Sequence, residues 1–412
     1  MDAPSRNPPR ALGLSDLVLL GFNCVIGAGI FTNPGEVAAA VGRWAPSYYL
    51  LGALICFPIA MCFAAMARLE PGTGGACLYA RRAFGEHAGF VVGWVMWLSG
   101  LIGGSTVALQ FGLLIFPSSQ PHAVALGLAT ILGLMLANLL GSKGGVWSNN
   151  LLATLKLVPL MLFLGWALSH LPWAALAYPP APAVAFWRPT PMWGLMLVLF
   201  SFSGFEEIGL PAGEVREPQR NVPLALLIVL ATSTVIYSLI QGAVGCLGLV
   251  GSTAPLSGAT RGTPWLSMAL TVGGIASLAS VNASIAFTCP RSLWTLAELG
   301  WLPPGLRHIS ARGGPTRCIW VTGLLMIVLV SSSHLTALLS LSVLASLLQH
   351  LATCLASWQE RRWSLLAPMP IAGTLVCAAL VFRSEPDYLK GMAVSILIGV
   401  ALSWLSRRRA TT

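Results

Sequence analysis

Twelve long apolar runs separated by short polar loops decide what this chain can fold into. They cover 14–41, 46–67, 89–116, 123–140, 150–168, 192–212, 222–249, 264–287, 319–333, 335–356, 368–382 and 389–405. A helix of about 20 apolar residues, rising about 1.5 Å per residue, matches the hydrocarbon thickness of a bilayer. Charged residues make up only 9% of the chain, against about 25% in soluble domains, and mean hydropathy is +0.78. A soluble enzyme or a disordered chain is excluded, because so much apolar surface needs lipid around it. The expected fold class is an all-α polytopic membrane protein with about 12 transmembrane helices. The ninth and eleventh runs are shorter than the roughly 17 residues of a comfortable span, so hydropathy alone leaves ten or eleven spans open.

Charge placement favours twelve. With the N-terminus inside, most of the 23 Lys and Arg fall in loops and tails on the cytoplasmic side. Arg43, Arg188, Arg261, Arg383 and Lys390 fall opposite, and Lys156 lies within the fifth span. Dropping one short span would move later basic loops to the wrong side. Both termini are therefore expected in the cytoplasm, and the short loops and tails point to a bacterial inner membrane. The polar start, Met1 to Arg10, lacks the apolar core and cleavage site of a signal peptide. The net charge of +10 lies mostly in loops and builds no basic face for nucleic acid. Seven of nine cysteines, Cys24, Cys56, Cys62, Cys246, Cys289, Cys354 and Cys377, lie in apolar runs without paired spacing and read as packing residues.

Two runs are interrupted. The first carries Val25-Ile26-Gly27-Ala28-Gly29-Ile30-Phe31, where two glycines weaken the helix or serve as a packing notch. The sixth carries Phe200-Ser201-Phe202-Ser203-Gly204-Phe205-Glu206-Glu207. A charge at mid-membrane costs about 2.5 to 3.5 kcal/mol or more, so these carboxylates should face a cavity and serve a function. Adjacent residues point about 100 degrees apart on a helix, so one of Glu206 and Glu207 is expected to face the site. Broken helices at corresponding places in two five-helix halves are the pattern of an inverted-repeat transporter. Their unpaired backbone groups need a polar ligand, and an amino acid supplies a carboxylate for the N–H groups and an ammonium for the carbonyls.

Gly27-Ala28-Gly29-Ile30-Phe31, the loop Glu70-Pro71-Gly72-Thr73-Gly74-Gly75 with Tyr79, and Gly204-Phe205-Glu206 followed by 214–223 resemble the amino acid-polyamine-organocation permeases. The stretch from Pro290-Arg291 to Pro303 resembles that family's segment after the eighth span, so the likeness extends over roughly residues 12 to 320. The resemblance implies a LeuT-like 5+5 inverted repeat with broken helices 1 and 6, plus two extra C-terminal helices, moving amino acids or amines by alternating access. By position it assigns Val25, Ile26, Gly27, Ala28 and Gly29, with Phe200, Ser201, Phe202, Ser203 and Gly204, to substrate binding. Phe200 or Phe202 becomes the aromatic gate. Ala28 stands where members often carry Ser or Thr, so a hydroxyl contact to the substrate carboxylate is missing. Some members have a lysine at Lys156, where sodium-coupled relatives bind sodium, which favours proton coupling or exchange. Glu206 matches an acidic position and is a second proton-coupling candidate. The bland reading of Lys156 is a side chain that snorkels to the interface.

Glu70, Arg81, Arg82, Glu214, Arg216, Glu217 and Arg220 read as a solvated loop cluster or as an inner gate, tested by coupling between Glu70 and Arg220. Six scattered histidines show no ligand spacing, and no nucleotide loop or nucleophile motif occurs. No enzyme activity, cofactor or metal is expected. A channel or an exporter of another small organic solute is the alternative. The expected organisation is a tail at 1–13, five-helix repeats at 14–168 and 192–358, two added helices at 368–405 and a tail at 406–412. Partners are the small-molecule substrate, protons and the lipid bilayer, and a homo-oligomer stays open.

Overall fold

A computed structural model describes residues 12–72, 74–140, 145–171, 189–251, 256, 262–310, 314–360 and 368–410. Residues 1–11 and the loop bases Lys143, Arg188, Arg261, Arg312, Arg361 and Arg362 lie outside the described residues, as does the ring of Trp173. Each apolar run is helical. Span 1 is Leu14–Val25 followed by Ala28–Thr32 and Pro34–Val41, and span 2 is Ala45–Leu69. Span 3 is Glu86–Ile115, span 4 Gln120–Leu140, span 5 Gly145–His170, and span 6 Pro189–Phe202 with a 3-10 turn at Phe205–Gly209. Span 7 is Pro218–Cys246, span 8 Pro264–Glu298, span 9 Thr316–Ser331, span 10 Leu335–Gln359, span 11 Pro368–Arg383 and span 12 Pro386–Ala410. Among the described residues eight helical stretches are long and apolar enough to cross a bilayer, and shorter apolar helices include spans 9 and 11. The protein is an all-α polytopic membrane protein. A short amphipathic helix, Ala76–Phe84, sits between spans 2 and 3.

Much of the packing recurs on a shift of five spans. Span 2 packs on span 7, span 3 on span 8 and span 4 on span 9, while the second half of span 1 packs on span 6. Span 5 packs on span 8 and, five places on, span 10 packs on span 3. The start of span 1 meets span 7, and span 6 meets span 2. Spans 1, 2, 6 and 7 thus gather in one group and spans 3, 4, 8 and 9 in another. Spans 11 and 12 lie outside, span 11 on spans 2 and 10 and span 12 on spans 3 and 10.

Small residues set these distances. Side-chain Cβ atoms added at Gly112 and Gly323 would clash with the Ala123 carbonyl oxygen and the Met135 sulfur, so glycine lets span 4 lie flush against spans 3 and 9. Large apolar side chains such as Leu54, Met268, Val328, Leu375 and Leu397 point outward, where lipid takes the place of water. All nine cysteines are free thiols, in keeping with a packing role.

Candidate functional site

The two sequence interruptions are real breaks, and they face each other. Span 1 stops at Val25: Ile26 leaves the helix at φ −77°, ψ 75°, Gly27 takes φ −106°, ψ −145°, and the chain turns helical again at Ala28. Span 6 stops at Phe202, and Gly204 takes φ +110°, a conformation that costs a residue with a Cβ. The backbones then touch. A Cβ on Gly29 would lie 2.7 Å from the Ser201 Cα, and one on Gly204 would lie 2.6 Å from the Cys24 carbonyl oxygen. The glycines therefore serve as both break and notch.

Breaking the helices strands carbonyls in an apolar interior, and buried side chains from other spans come to them. The Tyr237 hydroxyl of span 7 lies 2.8 Å from the Val25 oxygen and 3.1 Å from the Ser201 oxygen, strapping both breaks. Ser277 of span 8 donates to the Ile26 oxygen at 3.3 Å. Lys156 does not snorkel. It is fully buried, and its Nζ donates to the Asn23 oxygen at 2.6 Å, at the C-terminal and electronegative end of the first half-helix. Asn23 Oδ1 in turn accepts from Ser280 at 3.2 Å. Span 5 therefore delivers its ammonium to the break itself.

The assigned binding residues divide. Ile26 and Gly27 form the break in span 1, between Val25 at the end of the first half-helix and Ala28 and Gly29 at the start of the next, with Val25 and Ile26 fully buried. Ser201 is buried, and its hydroxyl donates to the Leu197 oxygen at 2.9 Å. Ser203 is half-buried and donates to the Leu199 oxygen at 3.0 Å. The two gate candidates point apart. Phe200 is half-buried against the small apolar cluster of Val107 and Leu278 on spans 3 and 8. Phe202 is buried between Tyr49 and Tyr237, with ring centroids at 6.4 and 5.2 Å. Only Phe200 lies on the seam between the two helix groups. Beyond it, Gln110 of span 3 reaches Thr32 and Asn33 at 3.4 and 3.5 Å, and Asn33 reaches the Leu197 oxygen at 3.3 Å.

Glu206 is buried, and its Oε2 accepts from the Gly204 amide at 2.9 Å, capping the break from inside. His350 of span 10 places Nε2 3.5 Å from the same oxygen, within ion-pair reach but outside hydrogen-bond geometry. Residue-type reasoning missed His350, Tyr237 and Gln110. The available signal was a polar side chain inside an apolar run, the same signal that singled out Lys156.

The loop cluster is paired in this structure. Arg82 bridges Glu70 at 3.2 Å and Glu360 at 3.0 Å, and these two bonds hold its guanidinium above the ordinary arginine range. Arg81 pairs with Glu86, and Arg220 with its helix neighbour Glu217. Leu12 exchanges backbone bonds with Glu214 and Arg216 at 3.1 and 2.8 Å, so the start of span 1 is stapled to the loop before span 7. Exposed pairs contribute about 0.2 to 1 kcal/mol each, so single substitutions here should be mild. A double-mutant cycle on thermal unfolding is expected to couple Arg82 to Glu360 and to show no coupling between Glu70 and Arg220.

Known transporters are similar to this chain in sequence. An uncharacterized transporter of Mycobacterium tuberculosis (strain ATCC 25618 / H37Rv) is 28% identical over 415 residues, covering 95% of this chain and 90% of its own. A second uncharacterized transporter, of Mycobacterium bovis, is 29% identical over 331 residues, covering 72% and 68%. The methylthioribose transporter of Bacillus subtilis (strain 168) is 27% identical over 352 residues, covering 78% and 74%. The profile of the family described as amino acid permease matches residues 12–403, nearly every helix described above. The chain therefore belongs to the amino acid permease family, and it is a membrane transporter rather than an enzyme.

Proposed function

We propose that this protein is a secondary carrier of an amino acid or related amine, working by alternating access with proton coupling or exchange. The observation that carries the reading is the pair of facing helix breaks with Lys156 anchored on one of them. Backbone N–H groups at Ala28 and Gly29 open a half-helix, where the dipole favours a carboxylate. The Ser201 carbonyl, which already accepts from Tyr237, keeps a second lone pair that suits an ammonium. Lys156 holds a positive charge where a coupling cation would be drawn to the carbonyl end of span 1, so gaining and losing its proton switches that charge on and off. Glu206, capping the other break, is the second proton-coupling group.

The five-span shift in packing supports the two repeats at 14–168 and 192–358. A spiral of paired spans gives two bodies that rock against each other about the breaks, with the seam at Phe200 as the moving surface. The basic loops favour a cytoplasmic-membrane protein with both termini inside.

A second solute class follows from the Bacillus subtilis relative, whose named substrate is methylthioribose. Ala28 offers no hydroxyl to a carboxylate, which suits a solute without one. Counterflow in proteoliposomes separates the readings. Labelled amino acids, amines and methylthioribose are each loaded and challenged with unlabelled solute, with and without a pH gradient. Saturable exchange of an amino acid or amine is the expected result. Exchange of methylthioribose alone would move the protein to the second class, and unsaturable flux would identify a channel.

A further inference from the structure

We infer that His350 is a positioning residue for the span 6 break, holding the Glu206 carboxylate on the Gly204 amide and so fixing when that break is closed. Its transport readout rests on the proton-coupled reading above; its structural readout does not.

Five observations converge. Glu206 and His350 come from spans 6 and 10, both side chains are 6% exposed, and Nε2 stands 3.5 Å from Oε2. That same oxygen accepts from the Gly204 amide, so one atom joins the break to span 10. The imidazole is held by rings from two elements: Phe63 of span 2 meets it edge-on at 5.7 Å and 88°, and Phe205 stacks on it at 5.1 Å and 26°. Within the protein Nε2 has no formed hydrogen bond among the described residues. A recess lined by Cys56, Ser203, Ser346 and His350 opens beside it, next to the break.

The chemistry follows from the carboxylate. As an anion, Glu206 takes a charge-assisted bond from the Gly204 N–H and attracts a protonated His350. As a neutral acid it loses the charge assistance of the Gly204 bond and the attraction to a cationic partner and gains an O–H donor, which weakens its hold on the Gly204 amide and lets the break rearrange. The titratable groups that act on Glu206 besides His350 are Glu207 on its own segment, Cys24 at the end of the first half-helix and Cys56 of span 2. None of these others supplies a positive charge. His350 is the partner that can oppose the carboxylate, and the aromatic pair leaves it little room to swing away.

Hydrogen–deuterium exchange of segment 200–209 reads the break directly and needs no substrate. His350→Phe keeps the ring stack and removes both ring nitrogens, and it is expected to raise exchange of that segment about tenfold, as Glu206→Gln does. Other spans should stay unchanged. The double variant should exceed neither single variant by more than about twofold, because both remove one element. His350→Gln, which keeps an N–H donor, is expected to recover most of the protection. A second apolar variant, His350→Met, gives the same reading without the larger ring. In transport, His350→Phe should flatten the pH profile of gradient-driven uptake while counterflow at equal pH persists. Unchanged exchange in 200–209 for both apolar variants would overturn the inference, as would effects of His350→Phe and Glu206→Gln that multiply. If wild type carries no amino acid or amine, the proposed function falls, and the exchange result still decides the role of His350.

Discussion

Replacing Lys156 by methionine is expected to lower gradient-driven uptake about 10- to 100-fold. The ammonium is fully buried and donates to the Asn23 oxygen at 2.6 Å. A hydrogen bond to a charged group contributes about 1.5 to 3 kcal/mol, and about 1.4 kcal/mol corresponds to tenfold. Methionine matches the stem in shape, so the loss falls on the carbonyl end of the first half-helix and not on packing. Among the described residues no carboxylate forms an ion pair with Lys156, so its charge is answered by the break itself. Uptake measured across imposed pH gradients should then lose its pH dependence. Lys156→Arg should not rescue it, because a guanidinium stays protonated at every relevant pH and is wider than the site. Full pH dependence in the methionine variant would remove Lys156 from the coupling.

Alanine at Gly29 or Gly204 is expected to abolish transport with the protein still in the membrane. At Gly29 the added methyl would sit 2.7 Å from the Ser201 Cα, a backbone atom that cannot turn aside. At Gly204 it would sit 2.6 Å from the Cys24 oxygen, and φ +110° adds about 1 to 3 kcal/mol of backbone strain. Either change pushes the two breaks apart, and Tyr237 then cannot hold the Val25 and Ser201 oxygens together. Counterflow should fall by more than about 100-fold, since a misplacement of about 1 Å can cost that much where geometry governs rate. Alanine at Gly391, where nothing lies within 4 Å, is the control and should transport normally. Normal counterflow in both site variants would show that the breaks do not need this close approach.

Much of the fold was legible because its cause is local. Spans 3 and 8 are long apolar stretches in a chain with few charges, and any such stretch must become a helix to satisfy its own backbone. The breaks were legible for the same reason, since Gly27, Gly29 and Gly204 weaken a helix wherever it packs. Lys156 stood out as a lone charge in an apolar run. The identity of its partner did not, because Asn23 is a neighbour only once span 5 crosses span 1.

Other features stayed open or went unseen for want of tertiary contacts. Periodicity could not separate Phe200 from Phe202, two residues on different faces, one on the seam and one in the core. Spacing did not give Glu70 its partner, because the short helix at Ala76–Phe84 brings Arg82 to Glu70 and to Glu360 at the far end of span 10. Spacing gave His350 no role, yet it meets Glu206 across two spans.

The sequence by itself determined the solvent of this protein, its helical class, the number of apolar runs and the two places where helices must stop. Those follow from hydropathy and from the backbone cost of glycine, which act within a few residues. Only the tertiary structure decided what answers the stranded backbone at those stops. Tyr237, Ser277, Lys156, Glu206 and His350 reach the breaks from five spans, and a buried polar group takes whichever partner packing brings to it.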